Sequence, residues 1–314
     1  MADVTPGTAR MGWIPPESRT KKVVEACEAI VASMPTFFIS GATESTAGKR
    51  VVLWDFAKKV LGQHIPTLRQ MTGSCVGNGA ENAGLYVQCV EIAKGDRERF
   101  EMLFLPYHYG RGRLRAGIRG RGEGSTGSGQ AEAVRLDGYL SQEDPENADL
   151  PKPSGGPNAL TWGGNVENEW SDGARINSKW IEKGRRHLIR STAPVTTYEA
   201  TRDAICNGYP VTVASMQGFQ MRPVVDGGKA WGKPSGQWAH QMCFVGCDDD
   251  TRRPGCYCLN SWGADAHGQP AGDEPPGGFW VDAEIVSKMV RQNDSFAYSQ
   301  FDGFPEQKLD FLLV

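Results

Sequence analysis

Apolar residues recur at helical spacing in the first half of the chain. One helix is predicted near Lys21–Met34, a second begins at Cys75, and a third covers Gln130–Leu140. After Cys75 the apolar residues follow one another at i, i+4, i+7, i+11 and i+14, which places them on one face of an amphipathic helix. These residues are Val76, Ala80, Ala83, Val87 and Val90.

Three glycines, Gly77, Gly79 and Gly84, lie inside this second helix. Each glycine destabilises a helix interior by about 0.5–1 kcal/mol relative to alanine. Such weak helix formers are tolerated where another element approaches the backbone closely. We therefore expect the helix to be buried between two layers.

From about residue 195 the pattern changes to short apolar runs bounded by turns. "YEATRDAICNG" predicts a helix that ends at Gly208, and the runs after it predict an antiparallel sheet or barrel. These runs are "PVTVAS", "HQMCFVGCDD", "CYCLNSW" and "GGFWVDAEI".

The two patterns predict an α+β fold with a helical front half and a β-rich back half. Residues 142–172 are rich in proline, glycine, asparagine and acidic residues, which predicts a long loop or a crossing between lobes. We expect an N-terminal extension over 1–51, a helical lobe over 52–150 and a β-rich lobe over 151–314.

Composition narrows the possible functions. The 314 residues are 39% hydrophobic and 23% charged, as in an ordinary globular protein, and the net charge of −3 favours neither nucleic acid nor membrane. No run approaches the roughly 18 apolar residues of a membrane span. The first twenty residues lack a basic start followed by an apolar stretch, so we expect no secretion signal and synthesis in a cytoplasm. The eight cysteines are then expected to be mostly reduced thiols.

Two segments superficially indicate anion binding. "GATESTAGKR" at 41–50 has Thr43 and Arg50 where a phosphate loop requires glycine and serine or threonine, so we interpret it as a surface turn. Residues 111–122 form the Arg/Gly loop. It is either a docking loop for a polyanion or a partner, or a solvated linker, and we favour the solvated linker. It lacks the aromatic residues that single-strand binding prefers, so we do not expect nucleic acid as a partner.

Two later residues make Cys75 a candidate nucleophile. His240 is the one histidine of five within a strand-like run, and Asn260 follows twenty positions later on the next run. A helix N-terminus and an imidazolium both stabilise a thiolate, the attacking form of cysteine. An asparagine oxygen orients the imidazole without adding charge. The Cys75 N–H and the Gln70 amide are the candidate donors to an oxyanion.

Four other cysteines raise the alternative of zinc. Their C-x3-C and C-x-C spacings do not match the usual ligand pairs, and strand alternation explains them as small inward-facing residues. We expect neither a metal nor a cofactor. The four are Cys243, Cys247, Cys256 and Cys258.

Several blocks, in order, resemble the papain-like cysteine peptidases over roughly residues 52–300. They are Gln70…Gly73-Ser74-Cys75, "LPYHYG" (105–110), "GSTGSGQAEAVRLDGYL" (124–140), "AICNGYPVTVAS" (204–215), "AHQMCFVGCD" (239–248), "CLNSWG" (258–263) and "GGFWV" (277–281).

The resemblance implies a two-lobed fold. Its helical N-terminal lobe would contain a central helix that starts at the cysteine, and its C-terminal lobe would be like an antiparallel β-barrel. It also implies amide hydrolysis through a thioester, with Trp262 shielding the hydrogen bond between His240 and Asn260 from water.

The chain departs from the family pattern at three positions. Val76 replaces an aromatic residue, and Thr72 replaces a cysteine that often forms a disulfide. The absence of this cysteine fits a cytoplasmic or virus-encoded member better than a lysosomal one, and the chain resembles a bacterial or phage-type member of the family. Gln70 lies five residues before Cys75, whereas the family's glutamine usually lies six before. Either the loop is one residue shorter or the oxyanion hole is impaired.

Three hypotheses about function follow. The first is a cysteine peptidase acting on a protein or peptide. The second is a structural or assembly module, such as a phage virion component that contacts other virion proteins, with weak or vestigial activity. The third is a peptidoglycan amide hydrolase.

Overall fold

The computed structural model describes residues 11–35, 46–152, 164–249 and 252–305. The predicted turn at 41–50 and the predicted loop at 142–172 lie partly outside these ranges.

The described front half is mainly helical, as its periodicity predicts. The α-helices that the structure describes are α1 (Lys21–Ser33), α2 (Trp54–Leu61), α3 (Cys75–Lys94), α4 (Leu105–Arg115), α5 (Gly127–Leu136), α6 (Gly164–Trp170), α7 (Ser178–Gly184), α8 (Tyr198–Cys206) and α9 (Ala283–Val290).

The strands in the described residues lie mostly in the back half of the chain. They are β1 (Arg50–Val52), β2 (Glu98–Arg99), β3 (Ile189–Pro194), β4 (Val211–Phe219), β5 (Val224–Asp226), β6 (Lys229–Trp231), β7 (Pro234–Asp248), β8 (Gly255–Leu259), β9 (Gly278–Asp282), β10 (Phe296–Phe301) and β11 (Phe304–Pro305).

Within the described residues, nine strands form one sheet in the order β3-β10-β4-β7-β8-β9-β6-β5, with β1 paired to β7. The pairs are antiparallel except for β6 with β9. Because this order does not return to its first strand, the sheet is not a closed barrel, and the expected barrel-like lobe is an open sheet. The α+β prediction is confirmed, whereas the lobe boundaries 1–51, 52–150 and 151–314 stay predictions.

Helix α3 is buried from Cys75 to Val90 and lies between the sheet and the other helices. A Cβ atom added to Gly79 would lie 2.9 Å from the Gln241 amide of β7, and one added to Gly77 would lie 3.0 Å from Tyr109 of α4. The glycines thus allow close packing on both sides, as their positions predict.

The Arg/Gly loop is not a solvated linker over its first part, because Arg111–Arg115 belong to α4. Arg111 Nε donates to the buried Asp137 carboxylate at 2.9 Å, and Arg115 donates to it at 2.8 and 2.7 Å. Arg113 donates to the backbone carbonyls of Ser171, Gly120 and Gly124. These arginines join helices and loops of the chain itself.

We expect Asp137→Ala to lower the free energy of unfolding by about 3–5 kcal/mol, since it leaves two partly buried arginines without their carboxylate. Urea denaturation measures the loss. Glu182→Ala is the control, because Glu182 forms an exposed pair with Arg186 at 3.8 Å and should contribute about 0.5 kcal/mol or less. Equal effects of the two substitutions would contradict the structural role of Asp137.

No helix in the described ranges is both long and apolar enough to cross a membrane. The same ranges contain no group of three side chains able to hold a metal ion. The four cysteines considered for zinc are fully buried on β7 and β8 within the hydrophobic core.

Candidate active site

Cys75 is the first residue of α3 and is fully buried. The turn before it is held by Asn78, whose Nδ2 lies 3.1 Å from both the carbonyl and the hydroxyl oxygen of Ser74. The Gln241 N–H donates to the Cys75 Sγ at 3.4 Å. Because Gln241 directly follows His240, strand β7 brings this histidine to the start of α3.

His240 and Asn260 meet because β7 and β8 are adjacent antiparallel strands. Asn260 comes directly after β8, and its Oδ1 accepts a hydrogen bond from His240 Nε2 at 2.8 Å. The Trp262 ring lies over His240, with ring centroids 4.7 Å apart. Both His240 and Asn260 are buried, so protein side chains rather than water surround this hydrogen bond.

The hydrogen bond determines which nitrogen of His240 carries a proton in the neutral ring. Since the Asn260 Oδ1 can only accept, Nε2 is the protonated nitrogen and Nδ1 has the lone pair. Among the described residues, Nδ1 has no hydrogen-bond partner. The Nδ1 lone pair is therefore free to accept a proton. The next residue in sequence, Gln241, contacts the Cys75 sulfur.

Burial keeps this pair uncharged in the observed conformation. It raises the pKa of the Cys75 thiol to about 12, although the N–H groups of Gln241, Gly12, Val76 and Trp13 oppose the rise. It lowers the pKa of His240 to about 4, against the effect of Asn260. At neutral pH both the Cys75 thiol and the His240 imidazole are therefore uncharged.

Gln70 is held against the block that contains Asn260. Its N–H donates to the Ser261 carbonyl at 2.8 Å, and its Oε1 accepts from the Ser261 hydroxyl at 2.6 Å. Its Nε2 donates to the Thr72 carbonyl at 2.9 Å. One amide proton of Gln70 therefore points at its own loop, and its role as an oxyanion donor stays a prediction.

Two glutamates that the sequence analysis missed hold the loop before Cys75. Glu167 of α6 accepts hydrogen bonds from the Thr72 and Ser74 hydroxyls, and Glu123 accepts from the Gly73 N–H at 2.9 Å. Thr72 occupies the position of the family's disulfide cysteine, so a hydrogen bond to a distant helix restrains this loop. No local motif marks Glu167, because it lies in a segment with only loop composition.

The N-terminal segment, residues 11–19, lies across the candidate site. It forms backbone hydrogen bonds on two sides. On one side, the Ser125 N–H donates to the Gly12 carbonyl and the Ile14 N–H donates to the Ser125 carbonyl, both at 2.8 Å. On the other side, the Trp13 N–H donates to the Ala239 carbonyl at 3.1 Å. The segment thus runs between Ser125 and the residue that precedes His240.

The same segment approaches the nucleophile loop at contact distance. A Cβ atom at Gly12 would overlap the carbonyl of Gly73, so only glycine fits at this position. The N–H groups of Gly12 and Trp13 interact with the Cys75 sulfur. The segment therefore accounts for part of the burial of the thiol.

Asp294 anchors this segment to the body of the protein. Its buried carboxylate accepts from the Trp13 indole at 2.6 Å and from Arg19 at 2.6 Å. It also accepts from the N–H groups of Gly127 and Ser128, at 2.8 and 2.7 Å, where α5 begins. Asp294 lies 281 positions after Trp13, and its carboxylate joins the N-terminal segment to the start of α5.

No family model matches the chain, and no curated protein matches it in sequence. Solved structures do match. Xylellain, a cysteine protease from Xylella fastidiosa, is 15% identical with a TM-score of 0.55, over 93% of this chain and 97% of that one. Procathepsin B S9 from Trypanosoma congolense is 10% identical with a TM-score of 0.54, over 96% and 94%. The proform of Amb a 11, a ragweed pollen cysteine protease, is 12% identical with a TM-score of 0.51, over 90% and 75%.

Identities this low bear on the fold alone. The chain therefore has the fold of the papain-like cysteine proteases, and the resemblance predicted from its Cys, His and Asn blocks is confirmed at the level of the fold.

Proposed function

We propose that the protein is a cysteine peptidase that hydrolyses peptide bonds through a thioester on Cys75. The observation that carries the proposal is the free Nδ1 lone pair of His240, whose ring is held by Asn260 and whose next residue, Gln241, donates its N–H to the Cys75 sulfur at the start of α3. A base with a defined tautomer beside a thiol is the arrangement that nucleophilic catalysis by cysteine needs.

The reaction uses these groups in two steps. His240 Nδ1 takes the Cys75 proton as the sulfur attacks the substrate carbonyl carbon. The C–N bond then breaks, and the imidazolium returns the proton to the leaving amine. Water attacks the thioester while His240 accepts one of its protons, and the C–S bond breaks to release a carboxylic acid and the thiol.

The charge that develops on the carbonyl oxygen would be stabilised by donors at the start of α3. The Cys75 N–H points out of the first turn of the helix, where the positive end of the helix dipole also lies. Gln70 is the second proposed donor. Removal of one such donor typically lowers the rate about 10²–10³-fold.

A peptide that carries a thiol-directed electrophile tests the proposal. We expect mass spectrometry to find the label on Cys75, in the full chain and faster in the variant Trp13→Ala/Arg19→Ala. Cys75→Ala should lose this label, whereas Cys206→Ala, which removes the partly exposed thiol, should keep it. Equal labelling of the wild type and Cys75→Ala would contradict the assignment.

One observation favours the alternative of a structural module with an unused triad, namely the burial of Cys75 under the N-terminal segment. Turnover separates the hypotheses. Cleavage of casein supports a peptidase, cleavage of purified cell wall supports a peptidoglycan amide hydrolase, and no turnover of either by the Trp13→Ala/Arg19→Ala variant supports the structural module.

A further inference from the structure

The Asn260 side chain is hydrogen-bonded at both ends of its amide. Its Oδ1 accepts from His240 Nε2 at 2.8 Å and from the Ser261 N–H at 2.7 Å. Its Nδ2 lies 2.9 Å from Nε2 of a second histidine, His267, whose Nδ1 lies 3.1 Å from the Met221 carbonyl. Two histidines therefore flank one amide, and His240 is the one near the nucleophile.

The chemistry of these groups gives the chain of hydrogen bonds one direction. A backbone carbonyl only accepts, so the His267 Nδ1 must be the donor to Met221. In the neutral ring the other nitrogen, Nε2, is then an acceptor. It can bond only to the NH₂ end of Asn260, which places the amide oxygen toward His240. The series of hydrogen bonds that begins at Met221 thus ends at Nδ1 of His240, whose lone pair has no partner among the described residues.

The surroundings of His267 favour its neutral form. The ring is 3% exposed and has the Phe279 ring 4.8 Å away and the Trp262 ring 6.0 Å away. The charged and titratable groups that face it are Arg222 and His240, both of which oppose a second positive charge. Burial, the largest cause, lowers the pKa of His267 to about 4.

We propose that His267 is a positioning residue for the proposed peptidase reaction, which holds the Asn260 amide in the one orientation that leaves Nδ1 of His240 free as the base. The catalytic part of this inference rests on the proposed function. The hydrogen bonds themselves make it testable without turnover. His267 lies seven positions after Asn260, in "NSWGADAH", and its sequence context does not mark this role.

This series of hydrogen bonds, the relay, runs from Met221 through His267 and Asn260 to His240. Acid should disrupt it. A proton on Nε2 of His267 makes that nitrogen a donor, which faces the NH₂ of Asn260 donor to donor. The amide would have to turn over, and its NH₂ would then face the N–H groups of His240 and Ser261. Protonation of His267 therefore disrupts the orientation of His240, even though His267 does not touch the reacting atoms.

Two substitutions test the relay. His267→Phe fills the volume without an acceptor, whereas His267→Gln can accept from Asn260 with Oε1 and donate to Met221 with Nε2. Partners that orient a functional ligand typically contribute about 10–100-fold. We expect His267→Phe to lower kcat by such a factor with little change in KM, and His267→Gln to restore most of the loss.

The pH profile gives a readout that a merely structural role would not change. Because glutamine does not titrate, His267→Gln should move the acid limb of kcat and of the Cys75 alkylation rate to lower pH than in the wild type. His64→Gln is the matched control, since this partly buried histidine pairs with Asp273 at 3.8 Å, and its profile should equal that of the wild type.

Nitrogen-15 NMR of the histidine rings supplies a test without substrate. We expect His240 to be the Nε2–H tautomer in the wild type and in His267→Gln, and a mixture of tautomers in His267→Phe. An unchanged His240 tautomer in His267→Phe, or equal loss of kcat in both variants, overturns the relay. A wild type with the expected tautomer but no turnover would overturn the proposed function alone.

Discussion

Replacing Trp13 and Arg19 together by alanine should raise the rate of Cys75 alkylation by iodoacetamide about 10²-fold at neutral pH. Both side chains donate to Asp294 at 2.6 Å, and they anchor a segment whose N–H groups contact the thiol. A hydrogen bond to a charged group contributes about 1.5–3 kcal/mol. Losing two of them should therefore increase the population of chains in which the segment has left the site.

The same variant should change the pH dependence in a defined direction. Burial is the largest cause of the raised pKa of Cys75, so opening the site should lower this pKa from about 12. Alkylation should then reach half its maximum at a lower pH than in the wild type. Glu17→Ala is the matched control, because Glu17 belongs to the same segment and is exposed. Identical rates in the wild type and the double variant would show that residues 11–19 do not limit access.

His240→Ala should lower kcat/KM for a peptide substrate about 10⁴-fold, the upper range for loss of a general acid–base catalyst. The substitution removes the group that would accept the thiol proton and later protonate the leaving amine. It also leaves the Asn260 oxygen without its histidine donor. The loss should be measured in the Trp13→Ala/Arg19→Ala background, so that access to the thiol is not limiting.

Added imidazole distinguishes a chemical role of His240 from a structural one. It should restore part of the activity of His240→Ala by entering the space left by the ring, and it should restore none in Cys75→Ala. An activity of His240→Ala within about tenfold of the wild type is too large for loss of a general base, which contributes about 10²–10⁴-fold, and would contradict its assignment.

The closed site and the proposed chemistry are physically compatible. A thiol with a raised pKa and a histidine with a lowered pKa form an uncharged pair, which is the less reactive state of such a couple. Departure of the N-terminal segment would admit water and substrate and would remove part of the burial that raises the pKa of Cys75.

Local sequence was sufficient to predict α3, β7 and β8, the elements that position Cys75, His240 and Asn260. Helix α3 follows from the spacing of its apolar residues, and its glycines indicate the close packing against Gln241 and Tyr109. The residues Cys75, His240 and Asn260 were predicted from residue type, order and context, because each lies in a short block with a characteristic composition. Gln70 was predicted in the same way, but its hydrogen bonds to Thr72 and Ser261 could not be.

Other contacts could not be predicted from the residues near them in the sequence. The arginines of α4 resemble a solvated loop in sequence, yet two of them pair with the buried Asp137. Glu167 lies 95 positions from Thr72, and its carboxylate restrains the nucleophile loop only after α6 has packed.

What the sequence by itself determined is the fold and the identity of the candidate triad, because periodicity and short motifs are properties of neighbouring residues. What only the tertiary structure decided is the state of the site: the segment that covers Cys75, the Asp294 carboxylate that anchors it, and the second histidine that orients Asn260. These depend on distances and hydrogen-bond directions between residues far apart in the chain, and such contacts leave no periodic trace in the sequence.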